Sequence, residues 1–372
     1  MNIFIRTLFL FLRLSVYRNN ACRIENRSSL SLQENHMNMK CIMVNRIGGF
    51  DVMDVPVRMP HADEILIRVE VTGLCRTDLK LIRLGHRDLV LPRIPGEEVV
   101  GVVSETGENV KSIKQGDRVY VYPGMWCGGC PSCRAGAENL CRNMQIMGFH
   151  RDGGFAQFVT APAQSVIPVP EGLTAELAVF AEPLSCCLNA LELGQVGPGK
   201  TVAIWGAGPA GTLLARAAKA MGAETFSIDP DPERRSRIQG HETCPEKTVD
   251  VCIVAVGSVD AYQSALSRLG PRGRLVVFSG LHPDADRLSV SFNQLHYHEQ
   301  TLVGAYGCCY RHGHQALDRI ASGSVAVADL ISHRMALDDL EKALLMVETR
   351  QCRKILLYPD ENSPHQTDHL HK

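Results

Sequence analysis

Apolar positions change their period along this chain, and the change divides it. Met39-Lys40-Cys41-Ile42-Met43-Val44 reads as a first strand, and Glu64-Ile65-Leu66-Ile67-Arg68-Val69-Glu70-Val71 alternates strongly, as a half-buried strand does. Ile94-Pro95-Gly96-Glu97-Glu98-Val99-Val100-Gly101 and the turn Gly116-Asp117-Arg118-Val119 follow. Short strands separated by Gly, Pro and Asp predict an irregular, barrel-like β domain. Beyond residue 200 the rhythm becomes strand, helix, strand. Thr201 to Trp205 is an apolar strand, Leu213 to Met221 an alanine-rich helix ended by Gly222, and Phe226 to Ile228 a second strand. Val249 to Val256, a helix from Ala261 to Leu269 and a strand from Arg274 to Phe278 continue the alternation, which predicts a doubly wound parallel sheet. Between Asp229 and Val249 there is room for little more than one short helix from Pro232, less than a complete strand–helix repeat. Near the end, Met335 to Ala343 reads as a strand end and a helix with Asp338 near its start, and Arg353 to Leu357 as a closing strand.

A chain of 372 residues suits two domains. Hydrophobic residues at 45% and charged residues at 21% are ordinary for a globular protein, and a net charge of -1 gives no electrostatic case for nucleic acid or an anionic membrane. Met1 to Tyr17 is apolar but broken by Arg6 and Arg13, too short to span a bilayer. With Arg18, Arg23 and Arg27 the segment fits either a transit peptide or residues upstream of a start at Met37 or Met39, the second being preferred; residues 1–38 are expected to be disordered or untranslated. The polar stretch 359–372 is expected to be a disordered tail.

The glycine pattern adds chemistry. Gly206-Ala207-Gly208-Pro209-Ala210-Gly211 lies between a strand and a helix, as G-x-G-x-x-G must. The first glycine permits a tight turn, the second the approach of a pyrophosphate, the third close packing of helix on strand, and the helix N–H groups face the phosphates. Asp229, about 20 residues beyond the glycines, is placed to accept hydrogen bonds from ribose hydroxyls and favours NAD over NADP, since a 2′-phosphate would be repelled there. Arg234 and Arg235 fit solvated positions on the next helix, or contacts with adenine or a phosphate.

Fourteen cysteines in a chain this long point to reduced thiols and a cytoplasmic setting, because four cluster with metal-type spacing. Cys127, Cys130, Cys133 and Cys141 follow C-x2-C-x2-C-x7-C. Four thiolates on a tight loop close a tetrahedral shell around zinc and leave no place for water, so the site is structural; disulfides or unrelated thiols are the alternative. Cys308, Cys309, His312 and His314 show no ligand spacing and read as buried thiols and surface histidines.

The order of a Cys75-x-Thr77-Asp78 turn, a Pro95-Gly96-x-Glu98 segment, the four-cysteine lobe, Ala181-Glu182-Pro183-Leu184 and a late glycine turn resembles the zinc-containing medium-chain dehydrogenase/reductase family, in the branch of sorbitol dehydrogenase and threonine 3-dehydrogenase. The resemblance covers about Met39 to Tyr358. It implies a GroES-like β-barrel catalytic domain, residues 39–183 and 324–358, and a Rossmann domain, residues 184–323. It implies catalytic zinc on Cys75, with Glu182 as a further ligand or as a hydrogen-bond partner of zinc-bound water, proton transfer through Thr77 with Lys80 where a histidine often stands, and Val256 and Ser279 beside the nicotinamide. A homodimer or homotetramer acting on a small alcohol or ketone follows by the same resemblance. Singly, Cys75 also reads as a buried thiol, Thr77 as a strand-end hydroxyl, Lys80 as a solvated cation and Glu182 as a helix N-terminal acid.

One departure matters. The family has Gly-His-Glu where this chain has Gly96-Glu97-Glu98. Glu97 then replaces a histidine ligand, and Cys75, Glu97, Glu98 and Glu182 become the expected metal donors. Asp78 would face Glu97 instead of a histidine, so a shared proton or a cation such as Arg76 or Lys80 has to come between them. The expected activity is NAD-dependent oxidation of a secondary alcohol, of a polyol, sugar alcohol or threonine-like metabolite, to a ketone. A zinc-independent reductase of quinone or enoyl type and a non-catalytic nucleotide-binding redox sensor are the alternatives.

Overall fold

A computed structural model describes residues 37–238 and 248–360, so the expected N-terminal extension and polar tail lie, apart from two residues each, outside it. Strand β1 (Asn38–Arg46) returns on β2 (Gly49–Pro56) as an antiparallel pair. β3 (Glu64–Leu74), long and apolar, leads into helix α1 (Arg76–Leu84). β4 (Glu98–Thr106) and β5 (Arg118–Val121) extend the sheet. The two-residue strands β6 (Gly124–Met125) and β7 (Gln145–Ile146) pair at the base of a loop that carries α2 (Pro131–Arg134). β8 (Phe158–Pro162), β9 (Val166–Pro168), α3 (Ala175–Ala178) and α4 (Ala181–Leu193) complete the first half.

A parallel sheet follows. Its strands are β10 (Thr201–Trp205), β11 (Glu224–Ile228), β12 (Val249–Val254), β13 (Leu269–Val277) and β14 (Thr301–Gly304). The connecting helices are α5 (Pro209–Ala220), α6 (Pro232–Arg237), α7 (Val259–Arg268), α8 (Phe292–His298) and then α9 (Tyr310–Ala321). The chain returns through β15 (Ile331–Ala336), α10 (Leu340–Glu348) and β16 (Lys354–Tyr358).

The last two strands rejoin the first sheet, whose order is β15-β16-β3-β4-β5-β9. β3 is long enough to pair with β8 at its start and with β16 at its end, through Leu74↔Ile355, Gly73↔Leu356 and Thr72↔Leu357. That register sets Lys354 beside Cys75, two residues that are 279 positions apart in sequence.

The parallel sheet has the order β11-β10-β12-β13-β14. A full doubly wound sheet runs 3-2-1-4-5-6. Here, among the described residues, the third strand is missing, and β11 is an edge. Between β11 and β12 the described residues hold the single short helix α6, and a crossover between parallel strands needs a dozen or more residues. Alternate residues of β10 face opposite layers. Val202 and Ile204 pack with Leu213, Leu214 and Leu191, while Ala203 and Trp205 pack with Tyr262 and Leu266. Both faces are covered, which is why these strands read as continuous apolar runs.

In the glycine turn the third glycine has the least room. A Cβ on Gly211 would stand 1.7 Å from the Gly206 carbonyl oxygen. Gly211→Ala is expected to cost about 1–3 kcal/mol by overpacking. Urea unfolding followed by Trp205 fluorescence measures it, and an unchanged midpoint would contradict the packing.

Candidate active site

The glycine turn is held by the acid that the sequence assigns to ribose. Gly206 adopts φ +102°, and Ala207 N–H donates to Asp229 Oδ2 at 2.7 Å. Asp231 N–H donates to Asp229 Oδ1 at 3.0 Å, so this buried carboxylate fixes the turn before any ligand arrives. Gly208 is the N-cap of α5, and Pro209, which has no N–H to lose, opens the helix. The Ala210 carbonyl lies 3.6 Å from Cys187 Sγ on α4. Arg234 is paired with Asp231 at 3.4 Å, and Arg235 donates to the Asp229 carbonyl oxygen, so both arginines serve the loop that carries Asp229. Val256 lies against Gly206, and Ser279 N–H donates to the Val254 carbonyl; both sit where β12 and β13 end.

The second centre is a buried group of acids. Cys75 caps α1: its Sγ accepts from Thr77 N–H at 3.4 Å and lies 3.5 Å from Thr77 Oγ1, while its own N–H donates to Asp78 Oδ2 at 2.8 Å. Burial, reinforced by Glu98, pushes the Cys75 thiol up to about 12. Burial likewise raises Asp78 to about 7 against the pull of the Cys75 N–H. Glu182 rises to about 8 by burial and by repulsion from Glu98, and Glu97 rises well above the carboxylate range by burial and repulsion from Glu182. These are groups short of positive charge. The one cation placed among them is Lys354, whose Nζ lies 2.6 Å from both oxygens of Glu98. Burial alone would lower Lys354; Glu98 and Cys75 more than offset it and hold the ammonium above its ordinary value.

Glu98, expected as a metal donor, is therefore committed to an ammonium. Its side chain fits only because residue 73 is glycine, where a Cβ would stand 1.9 Å from Glu98 Oε2. Arg76 and Lys80, the cations expected to intervene, are exposed on α1. The cation that enters the acid centre is instead Lys354, which pairs with Glu98 rather than standing between Asp78 and Glu97, because β16 returns beside β3, a pairing invisible in local sequence. The donor atoms of Cys75, Glu97 and Glu182, expected to share one ion, are not gathered within 4.8 Å of one another, although the excess of buried acid around them fits a divalent ion.

The lobe gathers as its spacing predicts. The four sulfurs lie within 4.8 Å of one another, with Cys130 and Cys133 3.4 Å apart and Cys127 and Cys141 3.5 Å apart. Zn–S bonds of about 2.3 Å in a tetrahedron put sulfurs about 3.8 Å apart, so the group needs only slight opening. Backbone N–H groups of Cys133 and Arg142 lower Cys130 to about 6, and the N–H of Gly129 lowers Cys127. Burial and proton sharing with Cys130 push Cys133 up to about 12.

Two sequence readings change. His312, expected at the surface, is fully buried: its Nδ1 accepts from the Cys309 N–H and its Nε2 meets Glu192 at 2.9 Å. His314 is exposed. Cys308, read as an inert buried thiol, joins Glu182 and Cys186 in a group of donor atoms within 4.8 Å. Position i+4 from Glu182 on one helix was the only local signal for Cys186.

Lys354→Met should leave Glu98 buried and unpaired, at a cost of about 3–5 kcal/mol, and adding Glu98→Leu should restore much of it. Urea unfolding of the two variants checks this. Replacing Cys130 and Cys133 by serine should remove one zinc ion per chain in metal analysis, and an unchanged content would refute the lobe as a metal site.

The model of the alcohol dehydrogenase GroES-like domain matches residues 61–171. Sorbitol dehydrogenase of Bacillus subtilis (strain 168) is 30% identical over 352 residues, covering 87% of this chain and 98% of that protein. L-threonine 3-dehydrogenase of Pyrococcus abyssi is 30% identical over 337 residues, covering 83% and 94%. Among solved structures, alcohol dehydrogenase TADH from Thermus sp. ATN1 superposes with a TM-score of 0.77 at 26% identity, covering 86% of this chain and 99% of that one. With barrel, glycine turn and cysteine lobe all in place, the chain belongs to the zinc-type medium-chain alcohol dehydrogenase family.

Proposed function

We propose that this chain is an NAD-dependent dehydrogenase that oxidises a secondary alcohol, of a polyol, sugar alcohol or threonine-like metabolite, to a ketone. The observation that carries the reading is helix α4. It brings Glu182 into the acid centre and, five residues on, sets Cys187 against the glycine turn at Ala210. Five residues of helix rise about 7.5 Å, which brings the acid centre close to the cofactor turn. The sugar-alcohol and threonine dehydrogenases among the relatives support the substrate class, and the lobe argues against a zinc-independent reductase.

The pyrophosphate of NAD would lie on the N–H groups at the start of α5. Asp229 keeps a free lone pair on each oxygen for ribose hydroxyls, and its charge disfavours a 2′-phosphate. A divalent ion held in the acid centre, with Glu182 among the residues that would hold it, would favour alkoxide over alcohol. Thr77, whose hydroxyl adjoins Cys75, would accept the substrate proton while passing its own to a ribose hydroxyl or water, with exposed Lys80 one turn along α1 at the solvent end of that path. Val256 and Ser279, at the ends of neighbouring strands, flank the nicotinamide.

An alcohol screen read by NADH absorbance, on protein of known metal content, tests the activity. Turnover of a polyol or hydroxy amino acid is expected, with Glu182→Gln reducing kcat/KM by about 100-fold or more. Absence of turnover across the panel with zinc bound would overturn the reading. Glu97→His should move the alkaline limb of kcat to lower pH, because removing an anionic donor strengthens the ion as a Lewis acid and shifts a bound hydroxyl from about 9 toward about 7. An unmoved limb would remove Glu97 from the ion.

A further inference from the structure

Glu182 has a second set of neighbours. Cys186 follows it by one helical turn on the same face of α4, and Cys186 Sγ lies 3.5 Å from Glu182 Oε1. Cys308, in the segment between β14 and α9 and only 4% exposed, completes a triangle of donor atoms within 4.8 Å. Donor atoms bound to one zinc at about 2.0–2.3 Å stand about 3.3–3.8 Å apart, so little movement is needed to close on an ion.

An independent observation points to the same place. Tyr120 is fully buried, and its hydroxyl has no hydrogen-bond partner among the described residues. Burial acts on it most, followed by the ionisable groups Cys308, Glu182, Cys186 and Tyr122, in that order. Its ring packs closely over Gly313, where a Cβ would stand 3.1 Å from Cε1. A buried orphan hydroxyl is costly, and the charged groups that reach this one most strongly are the same three donors, which leave a fourth position open. On the other side of Glu182 the shell is incomplete, because Glu98 is held by Lys354 and the Cys75 sulfur is engaged at the α1 cap.

We propose that Glu182, Cys186 and Cys308 form the seat of the crevice ion in this chain, a two-sulfur, one-carboxylate site for zinc or a metal of similar softness. Two thiols supply the soft donors that Glu97 no longer provides in place of histidine. The site deepens the reading above, resting on its premise that the acid centre holds an ion, and it moves that ion away from Cys75 toward the cofactor turn.

Metal analysis and cobalt(II) absorption, with thiols kept reduced, test the site without reference to turnover. The native chain should hold about two ions, with thiolate-to-cobalt absorption from six sulfurs, four in the lobe and two here. Cys186→Ser with Cys308→Ser should leave about one ion and lower that absorption by about a third, the lobe's ion reporting that the variant is folded. If the pair of serines unfolds the chain, Cys308→Asp keeps an anionic donor and should retain two ions while losing about a sixth of the absorption; unchanged absorption there would overturn the site. Two ions retained in the double-serine variant, with one lost in Cys75→Ser, would overturn the site and leave the dehydrogenase reading standing. One ion in the native chain at saturating zinc would overturn both.

Discussion

The Lys354–Glu98 pair is the interaction around which the rest is arranged. Four carboxylates and a thiol, Asp78, Glu97, Glu98, Glu182 and Cys75, are drawn from three separate segments into one buried space, and a single ammonium is placed among them. Buried charge is tolerated only when paired or bound to metal. The ammonium accounts for one carboxylate. It is delivered by the last strand, so the chain must close its first sheet before the acid centre is balanced, and Gly73 is required so that the Glu98 carboxylate can lie across the strand. What remains unbalanced is the group a divalent ion would satisfy.

Helix α4 converts that local balance into a shared site. Its first turn faces the acids, its second carries Cys186 toward Cys308, and Cys187 touches the glycine turn. Because α4 packs with α5 and α9 in one apolar cluster, a shift of the helix would move all three contacts together. An ion held by the acids and a cofactor on the glycine turn would thus be coupled through one helix.

The shortened parallel sheet has a narrower effect. Among the described residues the third strand is missing and β11 is an edge, yet Asp229 at its tip stays buried, because both carboxylate oxygens are anchored by backbone N–H groups and Arg235 holds the Asp229 carbonyl. The turn that would bind pyrophosphate depends on β10, Gly211 and Asp229, none of which needs the missing strand.

Much of this was legible along the chain. The glycine turn, the parallel alternation and the cysteine lobe depend on residues close in sequence, whose spacing fixes their geometry through the turn or loop that joins them. Cys75, Glu97 and Glu182 were found by resemblance, and the fold brings their charges to bear on one another. Lys354 was not legible, nor was the meeting of Cys186 with Cys308, nor the orphan hydroxyl of Tyr120, nor the burial of His312 against Glu192. Each depends on a strand register or helix packing that joins segments some 60 to 280 residues apart, or on which face of a strand is turned inward. Local pattern specifies which residues can form an element. Which of them share a buried space, and so must balance one another's charge, is set only when the elements pack and water is excluded.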